Sequence, residues 1–123
     1  MTTEGPLVFI GEDSPAIRGM LTEKLEAAGA RVHFRDSGMD ANADTKFMGG
    51  FTCALLALER PDGKGDTIDE AELLRMYQPT LPVAFLHDEV PERLLQRARA
   101  VGPVFRKPHQ LEAATQWAVE NCK

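Results

Sequence analysis

The side chains able to do chemistry in this chain stand just after short apolar runs. Glu12 and Asp13 follow Leu7-Val8-Phe9-Ile10-Gly11, His87 follows Pro82-Val83-Ala84-Phe85-Leu86, and Lys107 follows Val104-Phe105-Arg106. Two adjacent carboxylates offer hard oxygen ligands, and an imidazole adds a donor that suits transition metals. The same residues also have a plain structural reading. Glu12 and Asp13 precede a helix start, where acids are favoured by the helix dipole. His87 then fills space with a hydrogen bond, and Lys107 is an ion-pair partner. A fourth run, Cys53-Ala54-Leu55-Leu56-Ala57-Leu58, carries no such group at its end. The methyl group of Ala57 has no lone pair, so it neither attacks an electrophile nor holds a metal.

The elements that must position these residues alternate along the chain. Leu7–Ile10 is a continuous apolar run of the kind found in strands buried on both faces. Ser14-Pro15 predicts a helix start, with Ser14 as N-cap and Pro15 at the first helical position. Ile17, Leu21, Leu25 and Ala28 repeat at helical spacing, and Gly29 ends the helix. Arg31–Arg35 alternates like a strand and places His33 on the surface. Ser37 to Gly50 has few apolar anchors and predicts a short or distorted helix. Thr67-x-x-Glu70 is a capping box opening a helix through Leu73, Leu74 and Tyr77. Pro91 precedes a further helix with Leu94, Leu95, Ala98 and Val101 on one face. Val104-Phe105 is a last short strand, and His109 stands near the start of the final helix, marked by Leu111, Ala114, Ala118, Val119 and Cys122. Five strands alternating with five helices predict an α/β fold: a doubly wound, five-stranded parallel sheet with helices on both faces. In such sheets the cleft lies outside the carboxyl ends of the strands, where Glu12, Asp13, Ala57, His87 and Lys107 fall.

The 123 residues suit one domain, 1–123, with a substantial core. A net charge of −5 argues against a nucleic-acid binder. The signs are unevenly spread. Acids dominate from Glu59 to Glu72, while every charge from Arg93 to Lys107 is basic. Two cysteines, Cys53 in an apolar run and Cys122 near the C-terminus, lack metal-ligand spacing and predict no disulfide framework. A reducing compartment and a cytoplasmic location are expected, with no signal peptide and no apolar stretch approaching the ~20 residues of a spanning helix.

The ordered set of motifs resembles the response-regulator receiver family, the flavodoxin-like fold of CheY, from roughly Leu7 to Val119. Glu12-Asp13 matches that family's acidic pair, and Gly38 and Ala41 its second-helix signature. Leu81-Pro82-Val83 matches the opening of its fourth strand, and Lys107-Pro108 the Lys-Pro that closes its fifth. The stretch Ala54 to Pro61, with Gly65 beyond it, matches the phosphorylation strand and its loop. In the family that stretch reads roughly Leu-Leu-Asp-Leu-x-x-Pro, and the Asp accepts a phosphoryl group. Here Pro61 is kept, but Ala57 stands four residues before it.

The resemblance implies what each part would do. An Asp attacks a phosphoryl group whose charge is neutralised by Mg²⁺ and Lys. A hydroxyl on the fourth strand then bonds the phosphoryl oxygen, and an aromatic on the fifth turns inward. The nucleophile position is Ala57, the hydroxyl position is His87 and the aromatic position is Val104. Phe105 is adjacent but falls on the opposite face by strand alternation. Losing one carboxylate lowers the site's charge from near −2 to near −1. Lys107 is then expected to pair with Asp13 or Glu12 and to fill the space of the cation. No cofactor and no metal are expected, since Mg²⁺ dehydrates reluctantly; Glu12 and Asp13 are the ligands left to hold it.

The resemblance therefore implies a pseudo-receiver: not an enzyme, but a module that signals through protein contact without phosphorylation. Its expected contact region is the surface of the fourth helix, fifth strand and fifth helix, carrying Arg93, Arg97, Arg99, Arg106 and Trp117. That surface suits an acidic or amphipathic protein, or a second copy of the chain, and neither nucleic acid nor membrane. The rival is a small-ligand or transition-metal sensor built on Glu12, Asp13, His87 and Lys107.

Overall fold

The computed structural model describes residues 6–12, 14–35, 50–58 and 67–122. Asp13, the segment read as a second helix, and the loop holding Pro61 and Gly65 lie outside these residues. The described elements are β1 (Leu7–Gly11), α1 (Pro15–Ala27), β2 (Arg31–Arg35), β3 (Cys53–Ala57), α2 (Thr67–Tyr77), β4 (Val83–His87), α3 (Glu92–Arg99), β5 (Val104–Arg106) and α4 (Leu111–Asn121). The strands form one parallel sheet in the order β2-β1-β3-β4-β5.

The apolar runs explain which strands are central. Every residue of β1, β3 and β4 is buried, as strands covered on both faces must be. Alternation divides their side chains between two cores. Phe9, Ala54, Leu56, Val83 and Phe85 pack with Ile68, Ala71 and Leu74 of α2, Ala98 of α3 and Val104. Val8, Ile10, Cys53, Leu55, Ala84 and Leu86 pack with Leu21 and Leu25 of α1, Leu111, Ala114 and Ala118 of α4, and Phe105. Val104 and Phe105 thus fall on opposite faces, as their adjacency in a strand requires.

Local chemistry sets the helix ends. Ser14 Oγ accepts a hydrogen bond from the Ile17 amide at 3.4 Å, and Pro15 follows with its φ already suited to a helix. At the far end Gly29 takes φ +92°, which an L side chain resists. Ala28, placed on the apolar stripe by its spacing, is instead the exposed C-cap. α2 is described from Thr67 onward; the side chains of the expected capping box, Thr67 and Glu70, lie outside the described residues. Pro91 is the N-cap of α3, at the helix start where the sequence places it.

Two corrections concern residues read as ordinary. His33 is half-buried, not a surface residue. Its ring stacks on Phe51 at 5.9 Å and lies 6.1 Å from Phe9. Cys53 and Cys122 are joined as a disulfide, with Cα atoms 5.3 Å apart. The topology explains the pairing: α4 runs back along the sheet and delivers its C-terminal end to the start of β3.

Entry into β3 depends on a side chain far away in sequence. The Gln78 amide accepts from the Phe51 N–H at 2.8 Å and donates to the Phe51 carbonyl at 2.6 Å. Entry into β5 depends on close backbone approach. A Cβ on Gly102 would overlap the Val83 carbonyl oxygen, an atom fixed in the sheet. Gly102→Ala should therefore cost about 2–3 kcal/mol in urea-induced unfolding. Gly19→Ala, whose Cβ would meet nothing within 4 Å, should gain about 0.5–1 kcal/mol as a helix-interior replacement.

Candidate functional site

Parallel strands end together, so the first residue after each run falls along one edge of the sheet. Register sets the order. Gly11 of β1 faces Leu56 of β3, Ala57 faces Leu86 of β4, and His87 faces Arg106 of β5. Glu12, Ala57, His87 and Lys107 therefore sit at consecutive positions along the carboxyl edge.

One ion pair dominates it. Lys107 Nζ donates to Glu12 Oε1 at 3.1 Å. The Glu12 side chain is fully buried and that of Lys107 is 11% exposed. β1 and β5 are separated in the sheet by β3 and β4. Three inter-strand steps amount to about 14 Å. The two long side chains meet across the ends of the strands between them, and Ala57 ends one of those strands with only a methyl group.

Backbone contacts hold both partners in place. Glu12 Oε2 accepts from the Ser14 amide at 3.1 Å, so the carboxylate also serves the start of α1. The Lys107 amide donates to the His87 carbonyl at 2.7 Å, extending the β4–β5 ladder by one residue. Gln110 braces the turn beyond: its side-chain carbonyl accepts from the Arg106 amide at 2.7 Å, and its own amide donates to the Arg106 carbonyl at 2.8 Å. Sequence reasoning missed Gln110, and its only signal is its place just before the last helix.

The expected residues meet unequally. Glu12 and Lys107 join directly, and Ala57 is buried at the end of β3. His87 is buried, and its ring Nδ1 lies 3.1 Å from the Asp88 carbonyl. Among the described residues no group of three or more His, Cys, Asp or Glu side chains could hold a metal ion. Asp13 lies outside them.

The basic surface is exposed along Arg93, Arg97, Arg99 and Arg106, but acids share it. Arg99 pairs with Glu92 at 2.9 Å, and Arg97 lies 4.0 Å from Asp69. Trp117 is half-buried and leans toward Phe105, ring centres 6.5 Å apart, so part of its surface already belongs to the core. No helix among the described residues is long and apolar enough to cross a membrane.

Solved structures share this fold. The chain is similar to the chemotaxis protein CheY4 of Vibrio cholerae, with TM-score 0.78 and 22% identity over 95% of this chain and 98% of that one. It is similar to a response regulator receiver protein of Sinorhizobium medicae, with TM-score 0.79 and 16% identity over 99% and 100%. It is similar to the signal receiver domain of a modulated diguanylate cyclase of Desulfovibrio desulfuricans, with TM-score 0.75 and 25% identity over 95% of each. No family model matches the sequence. No curated protein matches it either.

The ion pair generates a stability test. Breaking a buried pair by removing one partner leaves the other charge in low dielectric. Lys107→Met and Glu12→Gln should each cost about 3–5 kcal/mol by denaturant titration. The double variant Glu12→Leu/Lys107→Met should cost less than the sum of the singles, because no lone charge is left behind.

Proposed function

We propose that the chain, whose fold is the doubly wound five-stranded parallel sheet of receiver domains, is one receiver-like signalling module that works through protein contact and is not an enzyme. It is a pseudo-receiver, read out without phosphorylation. The observation that carries this reading is the carboxyl edge itself. Ala57 stands where a nucleophile would be, and the Lys107 ammonium is bound to Glu12 at 3.1 Å. A site whose cation is already a lysine has little need of Mg²⁺, and a methyl group cannot form an acyl phosphate. His87 supplies no hydroxyl and Val104 no aromatic ring for a phosphorylation response. The rival, a transition-metal or small-ligand sensor at the same edge, has no observation in its favour beyond the residue types.

The proposed contact surface is formed by α3, β5 and α4, with Arg93, Arg97, Arg99, Arg106 and the exposed part of Trp117. The proposed partner is an acidic or amphipathic protein, or a second copy of the chain, in a cytoplasmic setting. Local pairing of Arg97 and Arg99 leaves Arg93 and Arg106 as the groups best placed to meet a partner's acids.

The decisive experiment is intact-mass spectrometry after incubation with acetyl phosphate and Mg²⁺. The wild type should gain no phosphoryl group. Ala57→Asp should bind Mg²⁺ weakly and gain phosphate in part, without phosphorylation-dependent switching. A stoichiometric, base-labile adduct on the wild type means another carboxylate has taken the role, and the reading fails.

The surface gives a second, kinetic test. Against a partner captured from the native cell, neutralising Arg93, Arg97 and Arg99 together should slow association on the order of tenfold at low salt and flatten its salt dependence. Unchanged association kinetics would remove this surface from the proposal.

A further inference from the structure

The disulfide between Cys53 and Cys122 lies away from the carboxyl edge, and nothing in the proposed signalling role uses it. Cys53 opens β3 and Cys122 follows the last residue of α4, 69 positions later. Both residues are buried, at 0% and 2% exposure. Their Cα separation of 5.3 Å falls within the range that a disulfide spans without backbone movement.

The surroundings accommodate the thiols as well as the bond. Cys53 Sγ lies 4.0 Å from the Ala118 carbonyl oxygen, and Cys122 Sγ lies 4.0 Å from the Leu7 carbonyl oxygen. When the pair is reduced, each S–H has a weak acceptor within reach, and free cysteine is at home among apolar neighbours. Neither state strands a polar group, so the fold does not depend on one of them. Access differs between the two sulfurs. Cys53 is fixed inside the sheet. Cys122 sits on a helix end held by its own amide to the Ala118 carbonyl at 2.7 Å and by Asn121 Nδ2 to the Trp117 carbonyl at 2.8 Å. Helix ends open locally far more easily than central strands.

We propose that Cys53 and Cys122 form a reversible redox pair that clamps the C-terminal end of α4 onto the start of β3. The oxidant is a low-molecular-weight disulfide of the glutathione class. Opening of the last turn exposes Cys122, whose thiolate attacks the small disulfide, forming a mixed disulfide and releasing one small thiol. The turn closes and the Cys53 thiolate attacks the Cys122 sulfur, forming the protein disulfide and releasing the second small thiol. Two electrons pass to the small disulfide, and the two S–H protons end on the released thiols. Reduction runs the same steps backward. This inference does not rest on the docking reading: the clamp can hold whatever α4 touches.

The test uses the full chain in glutathione buffers of graded reduced-to-oxidised ratio, with thiol alkylation under denaturing conditions, mass analysis and hydrogen exchange. The monomer should pass from two alkylated cysteines to none as the buffer becomes oxidising, while circular dichroism stays native throughout. Closing a loop of 69 positions should raise the melting temperature on the order of 10 °C. Amides from Ala118 to Cys122 should exchange at least tenfold faster in the reduced form, with β3 protection unchanged. Cys122→Ser should match the reduced form at every ratio. The proposal is overturned by thiols that stay alkylatable in excess oxidised glutathione, by a stable mixed disulfide or a disulfide-linked dimer, by unfolding on reduction, or by exchange in α4 that ignores the redox state.

Discussion

The contact between Glu12 and Lys107 constrains the whole carboxyl edge. It joins the ends of β1 and β5, which are not neighbours in the sheet, and its length is fixed by one carboxylate stem and one lysine stem. Burial makes the contact demanding, since a charge in low dielectric must keep its partner. Each partner is therefore braced: Glu12 by the amide of Ser14, Lys107 by the carbonyl of His87 and the Gln110 turn. The same braces start α1, extend the β4–β5 ladder and lead into α4. A single ion pair thus binds three pieces of the fold to one geometry, and a small residue at position 57 is compatible with its path.

Likeness of fold does not by itself transmit chemistry. The structural relatives share 16–25% of residues with this chain while matching nearly its whole length. What such distant chains share is the packing problem: three buried strands, two cores, and helices delivered to both faces. A residue at a strand end can stand outside that packing. Ala57 is a case in point. It belongs to neither apolar core, although it ends a strand whose other residues belong to one or the other.

Much of this was legible in the residues because the signals were local. Continuous apolar runs gave the three central strands, Ser14-Pro15 the start of α1, and Gly29 its end. The pairing of Lys107 with an acid of the first strand's end followed from charge once the fold was read. What escaped was chemistry that only tertiary approach creates. His33 alternates like a surface residue, yet its ring joins a cluster with Phe9 and Phe51. Two cysteines 69 positions apart look unrelated until α4 returns one to the other. The unbroken basic run from Arg93 onward hid the fact that Glu92 and Asp69, outside the run, fold back against it.

The Gln78 amide has a further meaning for strand phase. By taking both hydrogen bonds of Phe51, it behaves as a borrowed rung of sheet laid down before β3 begins. In a parallel sheet a slip of one residue turns every side chain to the opposite face. A slip in β3 would send Leu56 toward α1 and α4, and Leu55 toward α2 and α3. Both faces are apolar, so hydrophobicity alone distinguishes the two phases poorly. Polar contacts at the strand's entry add to the choice. Gln78 acts as a reading-frame marker for the central strand, together with Thr52, whose hydroxyl accepts from the Leu7 amide at 2.8 Å.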